Sequence, residues 1–423
     1  MEKNKVFNYK LKFSSQKEMK FLRFKRYKLE RDILTIAFSI FELEKMIKKG
    51  IDVNTLKITI DSETYNKINV DLLKTELNDF IIQILKNDID ILIEHKELSK
   101  YKRKKKINFK KVNNICLFSG GVDSFSGILN AKKQFKSVEG VFIAHSDQKR
   151  VINITDKMIK NILKPNDIKC KKLYAPSVGK EDYSQVRGFL YVLLASIYAN
   201  LKDSENILIT ECGTTMYQPK FSPYDSITMT THPILLKKAK KVIEILLNRK
   251  INLVIPFENM TKAEIMINSP LKNHIKDAHS CITQRLDLQD GTCYGCVIRK
   301  VGSLCAGIDD ANFFKNPMMN NKSNMDNLIS LMRFCYDILV DFKNLPSYSK
   351  ENIKIYGKEE LFTRFALDTF SALYLFKKNN SLATPIQNLF LELLDNIGEE
   401  RLLGRIHTIR ANGVKKPDFL KLV

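Results

Sequence analysis

Apolar positions along the chain fall into three regimes. Between residues 112 and about 310, short apolar runs alternate with helix-length stretches. VNNICLF, VEGVFIAHS, NILIT and INLVIPF read as strands, and residues 185–201 and 233–247 as helices. A further helix is predicted behind the glycine turn that follows the first strand. Strands spaced by helices predict an α/β core with a doubly wound parallel sheet. Ahead of it, residues 1–98 mix two-residue alternation (6–13 and 56–60) with helical runs (33–49 and 72–85), which predicts an α+β accessory region. Behind it, residues 318–423 carry apolar positions at helical spacing over 325–342, 359–378 and 384–397. They predict a helical region whose expected task is packing or oligomerisation. The core is expected over 112–317, with residues 99–111 as a basic linker.

Composition narrows this picture. The chain has 423 residues, of which 44% are hydrophobic and 28% charged, enough to bury a core and too apolar for a disordered chain. The net charge of +23 admits anionic partners such as nucleotides, nucleic acid or anionic lipid. Only 14 of the 70 cations are Arg, the residue of planar phosphate and base recognition; 56 are Lys. The basic run LSKYKRKKKINFKK (98–111) has no regularly interleaved aromatics, so a solvated linker is expected and nucleic acid is the less favoured partner. The opening MEKNKVFNYKLKF has no apolar h-region, and the longest apolar stretch, 188–201, is shorter than the roughly 20 residues of a membrane span. A cytoplasmic protein without a membrane segment is expected. Four of the eight Cys, at 281, 293, 296 and 305, cluster as a metal site would in a reducing compartment.

Two stretches carry chemistry. Ser119-Gly120-Gly121-Val122-Asp123-Ser124 follows a strand and opens a helix. The glycines permit a sharp turn and close approach, the helix start offers free N–H groups, and the serines can donate hydroxyls. This suits a phosphate or pyrophosphate. A carboxylate there calls for a bridging cation, so Asp123 suggests Mg²⁺. The Gly-Lys-Ser/Thr of a Walker A loop is missing. Downstream, Cys293 and Cys296 form a CxxC knuckle with Cys281 twelve residues upstream. Three thiolates at this spacing suit tetrahedral zinc; His279, Asp290, Cys305 or water are the candidates for the fourth position.

SGGxDS resembles the signature of the PP-loop ATP pyrophosphatases, which cleave ATP to AMP and pyrophosphate and activate an oxygen by adenylation. The resemblance implies that residues 119–124 hold the pyrophosphate and that Mg²⁺ is required. DGTCYGCVIRKVGSLCAGI (290–308) resembles the zinc region of the 7-cyano-7-deazaguanine synthases, the QueC family: Cys293, Cys296, Arg299 and Gly307 match, and Asp290 stands where that family has a Cys. Zinc is therefore expected on Cys281, Cys293, Cys296 and either Asp290 or His279. NMTKAEI (259–265) resembles the family's segment after the last strand, which makes Lys262 a candidate to neutralise phosphate charge; a helix start capped by Thr261 is the plainer reading. Arg187 matches the Arg of a second active-site segment, or is a helix-end cation.

Glu211-Cys212-Gly213 and Thr230-Thr231-His232-Pro233 resemble the QueC-like proteins of bacterial anti-phage defence systems, the QatC group. That likeness implies a deazapurine substrate contacted by Glu211, Thr231 and His232, with a strand-end carboxylate and a helix-capping His as the plainer readings. It also implies a protein partner, whose amine accepts the activated substrate. A biosynthetic 7-cyano-7-deazaguanine synthase, a PP-loop tRNA-modifying enzyme and a catalytically silent nucleotide sensor are the other functions compatible with these residues.

Overall fold

The computed structural model describes residues 5–9, 27–97, 109–145, 147–178, 184–217, 220–221, 228–281, 289–310, 326–380, 382–411 and 413–423. Residues 98–108 of the basic run lie outside them, as do residues 10–13 of the first expected strand.

Two parallel sheets organise the chain. The first joins β1 (Val6–Asn8), β2 (Thr55–Asp61) and β3 (Asp90–Lys96) in that order. Leu56, Ile58 and Ile60 of β2 turn inward, the two-residue period of a half-covered strand, and the Lys28–Lys48 helix packs on it. The second sheet holds β4 (Asn114–Leu117), β5 (Val138–His145), β6 (Lys169–Ala175), β7 (Asn206–Leu208) and β8 (Asn252–Val254). Its order is β6-β5-β4-β7-β8, every pair parallel. The chain starts in the middle, builds outward to β6, then returns to the other side of β4. That is a doubly wound α/β order, and its switch point lies between β4 and β7, where such sheets take their ligands. One edge, β8, is covered by an antiparallel bridge from Val254 to Leu422, with Val423 N–H donating to Leu253 O at 3.0 Å.

The differences from the expected elements have physical causes. β6 reads KCKKLYA, whose lysines belong to the other, open edge, so no apolar run marks it. β3 was likewise not expected; its Ile91 and Ile93 alternate with Asp90, Leu92 and Glu94. The Arg187–Leu201 helix is apolar almost all round because it is wedged between the Lys28–Lys48 and Pro233–Leu247 helices. Behind the sheet, the described residues form five helices longer than one turn, not three: Asp326–Leu339, Ser347–Ile355, Glu359–Asn379, Thr384–Ile397 and Glu399–Arg410. The unexpected two, Ser347–Ile355 and Glu399–Arg410, are polar on most of their surface. One apolar core runs through all three regimes, from Phe41 through Leu193 to Phe365. Among the described residues no helix is long and apolar enough to cross a membrane.

Candidate active site and metal centre

The glycine turn occupies the carboxyl end of β4. Gly120 adopts φ +79°, and a Cβ there would stand 2.6 Å from Thr155 Oγ1. Gly121 begins the Val122–Gln134 helix without a side chain to occupy its first N–H groups. The two serines brace the turn from within. Ser119 O–H donates to Ser124 Oγ (3.0 Å), Ser124 O–H donates to Gly121 O (3.1 Å), and Gly121 N–H donates to Ser119 Oγ (3.3 Å). Their hydroxyl protons are spent inside the loop, which leaves backbone N–H groups as its outward donors.

Asp123, in the first turn of that helix, is buried and faces Lys262. The ammonium stands 2.5 Å from both carboxylate oxygens, and Cys212 N–H donates to Oδ2 at 3.2 Å. Glu211, just past the end of β7, adjoins this pair. Burial, then the Asp123 charge, lifts the Glu211 carboxyl well above the usual carboxylate range. Burial works against the Lys262 charge, but Asp123, Cys212 and Glu211 outweigh it and raise its pKa. Gly213 makes this meeting possible. Its N–H donates to Phe257 O (3.0 Å) and Met260 O (3.1 Å), and a Cβ would lie 2.0 Å from Glu258 O, so only glycine lets the loop after β8 close on β7. Thr261 then caps the Lys262–Ile267 helix in a reciprocal capping box with Glu264. The helix-start reading of this segment therefore holds, and the cap delivers Lys262 to Asp123. Two carboxyl groups share one ammonium here.

The three thiols converge, with Asp290 in the fourth place. Cys281, Asp290, Cys293 and Cys296 are buried, Cys293 as the N-cap and Cys296 in the first turn of the Tyr294–Ala306 helix, with candidate ligand atoms all within 4.8 Å of one another. Asp290 Oδ1 accepts the N–H groups of Thr292 (2.7 Å) and Cys293 (2.9 Å), which leaves Oδ2 facing Cys281 Sγ at 3.2 Å. Crowding by Cys281 and Cys293, then burial, pushes the Cys296 thiol up, so three thiolates at this spot need a cation. This buried Cys₃Asp group could hold a metal such as zinc. His279 and Cys305 are not in it. Cys305 Sγ contacts Asp368 O at 2.9 Å, in the helical region.

His279 has another place. Its N–H donates to Gly120 O at 2.8 Å, and its carbonyl lies 3.2 Å from where a Gly121 Cβ would be. The segment entering the cysteine cluster thus lies across the glycine turn. Its side-chain Nε2 is buried without a hydrogen-bond partner, and Arg150 adds its charge to burial in holding the imidazole neutral. Arg299 fixes this segment. Fully buried, it donates to Ala278 O (2.5 Å), Ile275 O (2.8 Å), Gln289 Oε1 (3.1 Å) and both carboxylate oxygens of Asp310. Arg150, on the same Lys149–Met158 helix as Thr155, went unnoticed in the sequence; its signal is an Arg three residues past HSD.

The remaining candidates gather elsewhere around the strand ends. Arg187 heads its helix, and Gly188 is so close to Thr230 that a Cβ would lie 1.5 Å from Thr230 O. This brings the Thr230–Thr231 segment against Arg187; Thr231 Oγ1 is buried without a hydrogen-bond partner. His145, at the end of β5, stacks on Phe41 with ring centroids 5.6 Å apart, and its Nε2 meets Tyr191 O–H at 3.0 Å. Burial, with help from Arg187, lowers its pKa to about 4. His232 caps the Pro233–Leu247 helix: Nδ1 accepts from Ile234 N–H and Nε2 meets Asn352 Oδ1, both at 3.3 Å, so both ring nitrogens are engaged. The chain matches no protein-family model and no curated protein sequence.

Proposed function

We propose that the chain is an adenylating enzyme of the PP-loop, QueC-like kind: it cleaves ATP to AMP and pyrophosphate to activate a 7-deazaguanine carboxylate. The observation that carries this reading is the SGGVDS turn at the β4/β7 switch point, with Asp123, Lys262 and Glu211 converging beside it. In this reading the glycine-turn N–H groups and the start of the Val122–Gln134 helix bind the pyrophosphate end of ATP. Asp123 and Glu211 would hold Mg²⁺, which supplies charge neutralisation to the phosphates. Lys262, freed from Asp123, turns to the departing pyrophosphate, where its charge is worth most as the transition state forms. Arg150 adds a second cation at the turn. The substrate carboxylate attacks the α-phosphorus, the bond to pyrophosphate breaks, and an acyl-adenylate remains. Arg187 with the Thr230–Thr231 segment is the assigned carboxylate-orienting wall. An amine then takes the acyl group and releases AMP.

The helical and N-terminal regions exceed what the chemistry alone requires. They favour a defence role, with a partner protein's amine as acceptor, over synthesis of a free nitrile. The test is AMP and pyrophosphate release from ATP and Mg²⁺, with and without 7-carboxy-7-deazaguanine. Release that depends on the acid is expected. Release that ignores it, or persists at the wild-type rate in Asp123→Ala, removes the assignment.

A further inference from the structure

The helical region was expected to pack or oligomerise. Its Glu359–Asn379 helix instead turns a polar face to the loop that carries Lys262. Lys358, at its cap, donates to Asn259 Oδ1 at 2.8 Å. Leu361 reaches within 2.9 Å of a Cβ built on Gly213. Arg364 donates to Asn259 O (2.6 Å) and Glu264 Oε1 (2.9 Å). Asp368 Oδ2 accepts the Thr261 hydroxyl at 2.5 Å. Spacings of three and four residues put these side chains on one helix face. Arg405, from the Glu399–Arg410 helix, closes the group by donating to Asp368 Oδ1 (2.7 Å) and Glu264 Oε1 (2.9 Å). Thr261, Glu264, Asp368 and Arg405 are all buried. Across from them, Gly302 of the metal-site helix leaves just enough room for the Lys262 stem, since a Cβ there would be 2.8 Å from Lys262 Cγ.

A helix that merely covered the sheet would do so more cheaply with apolar side chains. We infer that the Glu359–Asn379 helix belongs to the site: Arg364, Asp368 and Arg405 are positioning residues that set where the Lys262 ammonium stands relative to Asp123. A lysine stem is flexible, and holding the residue just before it from three directions confines the ammonium. That Lys262 then serves a nucleotide rests on the adenylation reading; that the helix positions it does not.

The test uses the full chain and acetic anhydride as an amine probe, with acetylation at Lys262 followed by mass spectrometry. Thr261→Val removes one hydroxyl and keeps the shape. It should raise the Lys262 acetylation rate by about tenfold or more, with Thr261→Ser returning to wild type and exposed Lys67 unaffected. Asp368→Asn is a second route to the same result. A wild-type rate at Lys262 in both variants overturns the inference. In AMP formation, Thr261→Val should lower kcat about tenfold with little change in the KM for ATP, and should add nothing to Lys262→Ala. Losses that multiply in that background also overturn it. If the wild-type chain forms no AMP, the adenylation reading falls, and the acetylation rates decide the positioning alone.

Discussion

On one side of Thr261, Asp123 and Glu211 share the single ammonium of Lys262; on the other, Glu264 and Asp368 share the two guanidiniums of Arg364 and Arg405. Both groups are buried carboxylates within one loop of each other. The second is balanced: every Glu264 and Asp368 oxygen has a donor. The first has one ammonium for two carboxyl groups. Burial raises the pKa of both Glu211 and Asp368; at Glu211 the Asp123 charge adds to it, whereas at Asp368 the Arg405 guanidinium opposes it. A balanced buried network holds structure, because each charge removed leaves another unpaired. An unbalanced one holds an opening for a ligand's charge.

The largest effect belongs to the balanced side. Arg405→Met leaves Asp368 without its guanidinium and Glu264 with one cation in place of two. Urea unfolding should show a loss of about 3–5 kcal/mol. A loss under about 1 kcal/mol would place the network outside the cooperative fold. The matching change on the unbalanced side, Asp123→Ala, should leave the unfolding midpoint close to wild type while AMP formation drops by roughly 10²–10³. Equal damage to stability from both variants would erase the distinction.

The metal centre gives a third comparison. Asp290 contributes one carboxylate oxygen where a fourth thiolate would bind zinc more tightly. Asp290→Cys should retain zinc against a chelator roughly tenfold better than wild type, and Asp290→Ala roughly tenfold worse. On the adenylation reading, metal stripping should also weaken nucleotide binding, because the segment from Ala278, held by Arg299, to Cys281 carries the His279–Gly120 hydrogen bond. Unchanged binding would show that the glycine turn stands without the metal segment.

How much of this the sequence disclosed follows from the range of each signal. The glycine turn and the Cys ligands are local: two short stretches whose spacing already states their chemistry. The strand ends could be located because apolar runs stop abruptly at SGGVDS, TECG and PFENMTK, but pairing order is not written in any one run, so the β4/β7 switch point was out of reach. β6 was hidden by its edge lysines. The Thr261–Asp368 and Glu264–Arg405 contacts join residues 107 and 141 positions apart; Thr261 alone looks like a helix cap, and Glu264, Asp368 and Arg405 like ordinary helix-surface charges. His279 was drawn towards the metal by its neighbour Cys281, while its backbone had been recruited by the turn.

The smallest effect concerns the proton on Glu211. Its pKa is raised in the folded chain by burial and by Asp123, and returns to about 4 on unfolding. Between these values the folded state holds a proton that the unfolded state has lost. The stability due to this group is therefore complete below about pH 4 and is lost as pH rises through the folded value. The slope can reach at most about 1.4 kcal/mol per pH unit for one group. Glu211→Gln keeps the shape and removes the titration, so urea midpoints measured from pH 5 to pH 8 should fall less steeply in the variant than in wild type. The same substitution at Glu264, whose carboxylate is matched by Arg364 and Arg405, should instead lower stability across the whole range. Parallel pH profiles for wild type and Glu211→Gln would mean that folding does not change the proton affinity of Glu211, and that the opening for a ligand's charge is not there.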